Sequence, residues 1–345
     1  MTETRKTPTI QDVARFANVS TATVSRALSS PDRVSESTRA RVSEAVRVTG
    51  YTLNQAARSL RQRSAMTILV ALPDIRNSFF SSILDAIERE ATNRGYGVLV
   101  ANLFLARSPA QRLQDYMLSN RADGLLLLDG SLEPATLQAL VRAPNSVPMV
   151  VACEEIPNSG FHTVITDNMV AAERATQHLI DLGHRRIAHL LGPERNTVAR
   201  DRLAGYTTAL SRAGITLRQE WLFRGNFQME SGLAAAAHFM SLTERPTAVF
   251  AANDESAIGF LSGLHQHGIK CPRDISIVGF DDLGVAAHYA PPLTTMRQPR
   301  ELLGRMSAEM LIDILEGTDH QRGPMRVVLN SELVVRESTA HLAMR

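Results

Sequence analysis

From Thr67 onward, short apolar runs alternate with helix-prone stretches, and this alternation limits how most of the chain can fold. Eight runs are strand-like and largely apolar, which is typical of parallel strands covered on both faces. They span 67–73, 96–102, 124–129, 148–155, 162–167, 186–192, 247–254 and 275–282. Helical stretches are predicted near 79–94, 109–120, 169–182, 200–213, 230–241, 255–267 and 300–316. The number of strands favours two doubly wound α/β halves.

Polar residues follow several of these apolar runs. Asp74, Asp129 and Asp167 each end a run, and Asn253-Asp254 and Asp281-Asp282 end two others. In open parallel sheets, ligands bind at the carboxyl ends of the strands. Polar groups that converge from two halves on one cleft are typical of a small-molecule site. The sequence therefore predicts a ligand between the two halves.

Residues 9–28 read TIQDVARFANVSTATVSRAL and predict two short helices joined by a tight turn. Thr9 is placed to cap the first helix in a capping box with Asp12, and Ser20 to cap the second. One apolar stripe at helical spacing consists of Ile10, Val13, Ala14 and Ala17.

At about 100° per residue, the second helix separates into two faces. The apolar face, which can pack on the first helix, consists of Val24, Ala27 and Leu28. The opposite face has no acidic residue and consists of Thr21, Ala22, Ser25 and Arg26. Such a face suits a major groove, where side chains must reach base edges and phosphates. An ordinary amphipathic hairpin is the alternative interpretation.

The charge of the chain is divided unevenly. Residues 1–63 carry eleven Lys/Arg and five Asp/Glu, whereas the rest carry 26 and 30. A basic segment on a mildly acidic body is typical of nucleic-acid binding localised to one end. A solvated charged surface is the alternative, but it does not explain why the basic excess coincides with the helix pair.

Composition excludes several classes of protein. With 345 residues, 44% apolar and 21% charged, the chain is globular and long enough for two or three domains. It has no apolar run of the roughly 18–20 residues that a membrane span requires. The first residues, MTETRKT, are polar, so no export signal is expected. Cys153 and Cys271 are isolated, which predicts neither disulfides nor a zinc site. We expect a cytoplasmic protein.

A third helix and a short connecting segment follow the helix pair. Ser35 can cap a helix that runs to about Thr49, and Gly50 is a natural stop. Residues 54–61, NQAARSLR, are helix-prone but form only about two turns, which are scarcely populated in water alone. The segment is either a flexible linker or a hinge that folds on DNA.

Several motifs together resemble the LacI/GalR family of bacterial transcription regulators, and the resemblance covers nearly all of the chain. TIQDVARFANVSTATVSRAL matches the family's N-terminal signature closely. Also similar are GY at Gly50-Tyr51, ARSL (57–60), LGHRRIAHLLGP (182–193), RLAGY (202–206), RPTAVFAAND (245–254), PRDISIVGFDD (272–282) and PPLTTMRQP (291–299). The family implies an all-α helix-turn-helix headpiece and a type I periplasmic-binding-protein-like α/β domain of two doubly wound subdomains.

The resemblance also implies a division of the chain. The headpiece would span 1–53, a hinge helix and linker 54–65, and an effector-binding and dimerisation domain 66–345. Within the last, subdomain N would comprise about 66–165 plus 296–324. Subdomain C would comprise about 166–295 plus 325–345.

The family further implies a homodimer on a palindromic, double-stranded operator, with recognition helices in major grooves and paired hinges in the minor groove. Leu60 would then be an apolar wedge that opens the central base step; the alternative is a linker leucine packed on the core. The implied DNA-binding residues are Thr9, Ile10, Ser20, Thr21, Ala22, Ser25, Arg26, Arg33, Ser35, Thr38, Tyr51, Asn54, Ala57 and Leu60.

An effector would bind between the subdomains, with phenylalanines as walls for a planar ring and Arg202 and Asp281 as polar anchors. The implied residues are Phe79, Phe80, Asp167, Thr197, Arg202, Phe227, Asn253, Asp254 and Asp281. Purely structural roles are the alternatives. Phe79 and Phe80 could belong to the hydrophobic core, Arg202 could form a structural ion pair, and Asp281-Asp282 could cap the helix that follows. Residues 195–197 lie one position out of the family's register, which leaves the role of Thr197 open.

These features predict a sequence-specific transcriptional repressor whose operator affinity is set by a nucleoside, nucleobase or sugar. No metal, cofactor, enzymatic activity or membrane is expected, because HExxH, P-loop and GxSxG patterns are absent. The alternatives are an exported sugar- or nucleoside-binding protein, which would need a signal segment and no basic head, and an enzyme of doubly wound fold. The C-terminal stretch 326–345 predicts one strand and a tail without leucine heptads, so a dimer is expected.

Overall fold

The computed structural model describes residues 8–29, 31–51, 64–104, 108–119, 121–142, 146–156, 159–319 and 323–342. The chain separates into two compact units, Met1–Ala65 and Met66–Arg345. The predicted hinge contacts Asn54, Ala57 and Leu60 lie outside the described residues. None of the helices in the described ranges combines the length and the apolar character that crossing a membrane requires.

The first unit, the headpiece, contains three helices: α1 (Ile10–Ala17), α2 (Thr21–Ser29) and α3 (Glu36–Thr49). The predicted caps of α1 and α2 are confirmed, whereas Ser35 occupies the N-cap position of α3 without a side-chain capping hydrogen bond. The Asp12 carboxylate accepts the Thr9 backbone N–H at 2.9 Å, and the Ser20 hydroxyl accepts the Thr23 N–H at 3.1 Å. Gly50 ends α3 with a φ of 68°, a left-handed conformation that glycine adopts without strain. Small buried side chains let the helices approach closely: Val13, Ala14, Ala17, Val24, Ala27, Val42 and Ala45.

The second unit contains two six-stranded sheets, each the centre of one lobe. In the first lobe the strand order is β11-β5-β4-β3-β1-β2, and all neighbours are parallel. Its strands are β1 (Thr67–Leu72), β2 (Gly97–Asn102), β3 (Gly124–Leu127), β4 (Met149–Cys153), β5 (His162–Thr166) and β11 (Arg326–Leu329). Its helices are α4 (Phe79–Asn93), α5 (Pro109–Leu118), α6 (Pro134–Arg142) and α11 (Arg300–Glu316).

Both faces of this first sheet are buried, as its continuous apolar strands predict. Along β1, Ile68 and Val70 pack into a cluster with α4 and α11. Leu69 and Ala71 point to the opposite face and pack into a cluster with α5 and α6. The helices thus form a layer on each side of the sheet.

In the second lobe the strand order is β12-β10-β9-β8-β6-β7, and only the β10–β12 pair is antiparallel. Its strands are β6 (Ile187–Leu190), β7 (Leu222–Phe223), β8 (Ala248–Ala251), β9 (Ser276–Asp281), β10 (Thr294–Arg297) and β12 (Glu332–Val334). Its helices are α7 (Asn168–Asp181), α8 (Thr197–Arg212), α9 (Met229–Ser241) and α10 (Asp254–Gln266). The α7–α8 and α9–α10 pairs pack on opposite faces.

The strand pairing corrects the predicted limits of the subdomains. Residues 326–329, which we assigned to subdomain C, form β11 and pair with β5 in the first lobe. Residues 294–297 form β10 in the second lobe, so the predicted boundary at 296 falls inside a strand. The chain therefore crosses between the lobes after β5, after β10 and after β11. The single strand predicted for the C-terminal stretch is two strands in different sheets, and α6 was not predicted.

Candidate functional site

The outer face of α2 is the first candidate site, and its predicted polarity is confirmed. Val24 and Ala27 are buried against the other helices. The opposite face is exposed or half-buried and consists of Thr21, Ala22, Ser25 and Arg26. Among the described residues, neither Arg26 nor Arg33 has an acidic partner, so both guanidinium groups remain available for phosphates or base edges.

The predicted phosphate contacts lie together at the start of α3. Arg33 and Ser35 are exposed, and the Ser35 hydroxyl donates to the Thr38 hydroxyl at 2.9 Å. Hydroxyl groups and an arginine at one helix N-terminus suit an anion. The surface of α2 and the start of α3 therefore offer one basic, hydroxyl-rich face.

Four further predicted DNA contacts have roles within the headpiece itself. The hydroxyls of Thr9 and Ser20 belong to the two N-caps. Ile10 and Tyr51 are half-buried and pack against the headpiece core. Contact of these four residues with DNA stays a prediction.

The second candidate site is a pocket between the carboxyl ends of the two sheets. It measures about 430 Å³ when its open mouth is included. Six of the nine predicted effector residues line it: Phe79, Phe80, Arg202, Phe227, Asn253 and Asp281. Five residues that the sequence analysis did not select also line it: Asn77, Cys153, Glu154, Val198 and Gln298. Asp167, Thr197 and Asp254 do not line it.

Two phenylalanines at the start of α4 form the first lobe's wall. The rings of Phe79 and Phe80 meet edge to face, with centroids 5.1 Å apart. The Asn77 side-chain oxygen accepts the N–H of Phe79, the first residue of the helix, at 2.9 Å. Phe80 is buried in the first lobe's core, whereas Phe79 is half-buried. The core interpretation therefore holds for Phe80, although its ring also faces the pocket.

Arg202, on α8, is the cation of the pocket and is only 4% exposed. Its Nε donates to the Asn168 side-chain oxygen at 3.0 Å and its Nη1 donates to the Ala252 carbonyl. Its Nη2 lies 3.7 Å from the Asp281 carboxylate, and the guanidinium carbon lies 3.7 Å from the centre of the Phe280 ring. Burial lowers the pKa of Arg202, while the nearby carboxylates raise it. The predicted ion-pair role and the pocket role thus coincide.

Phe227 is held in the pocket by its backbone. Its φ is +67°, in the left-handed region, and its carbonyl accepts the Asn253 side-chain N–H at 2.9 Å. Its ring occupies space beside Gly192, where an added Cβ would stand 2.4 Å from the ring. Asn253 also caps α10 through the Ser256 N–H at 3.1 Å.

Asp281 and Asp254 both lie at the carboxyl ends of apolar strands, but only Asp281 faces the pocket. The Asp281 carboxylate accepts from the Gln298 amide at 2.7 Å, and burial raises its pKa to about 6. The Asp254 carboxylate, 0% exposed, accepts from the Thr295 hydroxyl at 2.6 Å and from the Leu283 N–H at 2.8 Å. Burial raises its pKa to about 8. The Asp254 carboxylate is therefore buried inside the second lobe and does not line the pocket, and its contact with an effector stays a prediction.

Asp167 and Thr197 also have other surroundings. Asp167 caps α7 by accepting the Val170 N–H at 3.0 Å. Thr197 begins α8, and its buried hydroxyl has no hydrogen-bond partner among the described residues. Asp282, which follows Asp281 in the chain, is not a helix cap, because its carboxylate accepts hydrogen bonds from Arg297 and Arg336, each at 2.7 Å.

Glu154 is the most informative residue that sequence reasoning missed. It directly follows β4, so the rule that selected the other strand ends also applied to it. We instead placed it within the predicted strand 148–155. Burial and the neighbouring Asp129 raise its pKa to about 7. In the described ranges, no three His, Cys, Asp or Glu side chains form a metal-ligand group.

Comparison with known proteins identifies matches to two family models in the chain. The model for bacterial regulatory proteins of the lacI family matches residues 9–54, and a periplasmic binding protein-like domain matches residues 176–339. The HTH-type transcriptional repressor CytR of Escherichia coli K12 is 40% identical over 334 residues, 97% of each chain. The HTH-type transcriptional repressor PurR of Photobacterium profundum is 35% identical over 341 residues, 97% of this chain and 99% of that one. Two motifs of this sequence predict the same similarity: VSTATVSRAL (19–28) resembles the cytidine repressor, and ERNT (194–197) resembles the purine repressor.

Solved structures of bacterial repressors and regulators are also similar to this chain. A lac repressor dimer bound to operator and the anti-inducer ONPF has a TM-score of 0.83 at 29% identity, covering 97% of this chain and all of that one. A complex of the transcriptional regulator CelR with cellobiose has a TM-score of 0.72 at 33% identity, covering 96% and 99%.

Proposed function

The chain belongs to the LacI family of bacterial regulatory proteins, and on that premise we propose that it represses transcription from a palindromic operator under the control of a small effector. It acts as a cytoplasmic homodimer and catalyses no reaction. Arg26 and its neighbours on α2 read the operator. Asn54, Ala57 and Leu60 contact its minor groove.

The pocket between the lobes is the observation that carries the effector role. Its walls come from both lobes, with Phe79 and Glu154 on one side and Arg202 and Phe227 on the other. A ligand that contacts both walls binds the open and closed arrangements with different affinities, which is the condition for shifting a conformational equilibrium. Aromatic rings beside a buried polar pair suit a nucleoside, a nucleobase or a sugar.

A screen of the full-length protein tests this function. Nucleosides, nucleobases and sugars are examined by thermal shift, and a duplex bound by the protein is selected from a random pool. Each ligand that stabilises the protein is then titrated into the protein–duplex complex. We expect at least one ligand to change duplex affinity. Ligand binding without selection of any duplex would instead indicate a binding protein with no role on DNA.

The thermodynamic linkage between ligand binding and operator binding gives a second test of this function. If the ligand changes operator affinity by some factor, the operator must change ligand affinity by the same factor. Asp281→Ala should abolish the ligand response while operator binding persists, because Asp281 lies in the pocket and not on the headpiece. Loss of operator binding in this variant, together with unchanged ligand affinity, would contradict the assignment.

A further inference from the structure

Glu154 joins the two lobes at the pocket. It follows β4 of the first lobe, and both of its carboxylate oxygens lie 3.0 Å from the Asn196 amide nitrogen of the second lobe. The Gly130 N–H donates to Oε2 at 2.9 Å. Asn196 is fixed in turn, since its side-chain oxygen caps α8 by accepting the Ala199 N–H at 3.0 Å. The Glu154 carboxylate is therefore held in position from both sides.

The charges in the pocket wall do not balance. Glu154 and Asp281 are its carboxylates, and Arg202 is its cation. The Arg202 guanidinium already donates to Asn168 and to Ala252, and it lies beside Asp281. Among the described residues, no cation forms a hydrogen bond or ion pair with Glu154. Above the pKa of Glu154, which is about 7, a ligand in this pocket therefore meets an excess of negative charge.

The helix N-termini at the pocket are also engaged. Such termini bind phosphate through free backbone N–H groups. Here three helices that contribute pocket residues each have an asparagine in this place. Asn77 accepts the Phe79 N–H of α4, Asn196 that of Ala199 in α8, and Asn253 that of Ser256 in α10. At each of these N-termini, one N–H group is therefore already engaged by a side chain.

The carboxylates of the pocket can still accept hydrogen bonds from a ligand that carries O–H or N–H donors. A carboxylate offers about four lone-pair sites. Asp281 uses Oδ1 for Gln298, and Oδ2 has no donor among the described residues. Burial and the negative charge of Asp129 both raise the pKa of Glu154, whereas the positive charge of Arg202 lowers it. A further negative charge in the pocket would add to this unfavourable environment.

We propose that the pocket takes an uncharged ligand bearing O–H or N–H donors and rejects the phosphate ester of that ligand, with Glu154 setting the discrimination. The inference rests on the effector site of the proposed function and specifies its ligand class. A phosphate group carries roughly −1.5 to −2 at pH 7, and the described pocket wall offers it no cation that is not already engaged.

Matched pairs of probes test the proposal on the full-length protein by calorimetry at pH 8, above the pKa of about 7 of Glu154. The pairs are cytidine and cytidine 5′-monophosphate, adenosine and adenosine 5′-monophosphate, and ribose and ribose 5-phosphate. Where the neutral member binds, we expect its phosphate ester to bind at least about tenfold more weakly. In Glu154→Gln, which removes the charge, this ratio should approach one.

Two variants serve as controls. Glu154→Asp keeps the charge and should keep most of the discrimination. Glu155→Gln should leave the ratio unchanged, because the Glu155 carboxylate lies outside the pocket and binds Arg326 at 2.8 Å. If Glu154→Gln does not fold, the wild-type ratio and Glu154→Asp still decide the question.

The possible failures are distinguishable. Phosphate esters that bind wild type as tightly as their neutral partners overturn the proposal and leave the proposed function intact. An unchanged ratio in folded Glu154→Gln overturns the role of Glu154. If no member of any pair binds, both the effector class of the proposed function and this proposal are contradicted.

Discussion

At the scale of single residues, Arg26 is the arginine of the α2 face that we expect to contact DNA. It is exposed on α2, on the side opposite the buried Val24 and Ala27. Arg15, on α1, is equally accessible, but it lies 3.7 Å from the Asp12 carboxylate and outside the α2 face. The two arginines therefore form a matched pair for measurement.

We predict that Arg26→Ala weakens binding to the selected operator by about 1–3 kcal/mol, the usual cost of a lost base contact. Arg15→Ala should change it much less. Fluorescence anisotropy at one fixed salt concentration measures both, because phosphate contacts make every such affinity salt-dependent. If Arg26→Ala bound operator and random DNA as the wild type does, α2 would not be the reading helix.

At the scale of elements, helix pairs of the second lobe pack through glycines. A Cβ at Gly205 of α8 would stand 2.1 Å from the Met169 carbonyl oxygen of α7. A Cβ at Gly259 of α10 would stand 2.0 Å from the Met229 carbonyl oxygen of α9. The backbones can approach this closely only because no side chain intervenes. Since Gly205 lies three residues from Arg202, the packing of α8 also positions the pocket's cation.

Gly205→Ala should therefore lower the free energy of unfolding by about 3 kcal/mol, as overpacking does. Gly284→Ala is the control, because a Cβ at Gly284 meets nothing within 4 Å and its φ is not left-handed. Urea denaturation of the full chain measures both variants. Equal effects would show that close packing at Gly205 does not contribute to stability.

At the scale of the whole molecule, the second unit buries carboxyl groups that resist ionisation. Burial raises the pKa of Asp254 to about 8 and that of Glu154 to about 7. In an unfolded chain both groups titrate near 4. The folded protein therefore binds more protons than the unfolded chain between these limits.

Stability should consequently rise as the pH falls from 8 to 6.5, by up to about 1.4 kcal/mol per pH unit for each proton fully linked to folding. Below that window His189 acts oppositely, because burial lowers its pKa to about 4 and protonation then favours unfolding. Urea denaturation at pH 8.0 and 6.5 measures the change. Asp254→Asn should reduce the slope, and a wild-type protein that is less stable at pH 6.5 would contradict the prediction.

The sequence by itself determined the elements and the class of the fold. All eight predicted strands and all seven predicted helices of the second unit form, within a few residues, because long apolar runs and helical periodicity are local signals. The caps at Thr9 and Ser20 were also predictable, since capping depends on residues three positions apart. Strand β7 was missed because it has only two residues, and β10 was missed because its segment, Thr294–Arg297, is largely polar; β11 and β12 were predicted as a single strand.

Only the tertiary structure decided which strand-end residues share the pocket. Asp254 and Asp281 carry the same local signal, but the missing side chain at Gly279 leaves room for the Asp254 carboxylate, which turns toward Thr295. Glu154 also ends a strand, but only the structure shows that it lines the pocket and accepts a hydrogen bond from Asn196, 42 positions away. Such contacts depend on how two lobes assemble from distant segments, and local sequence patterns carry no information about that distance.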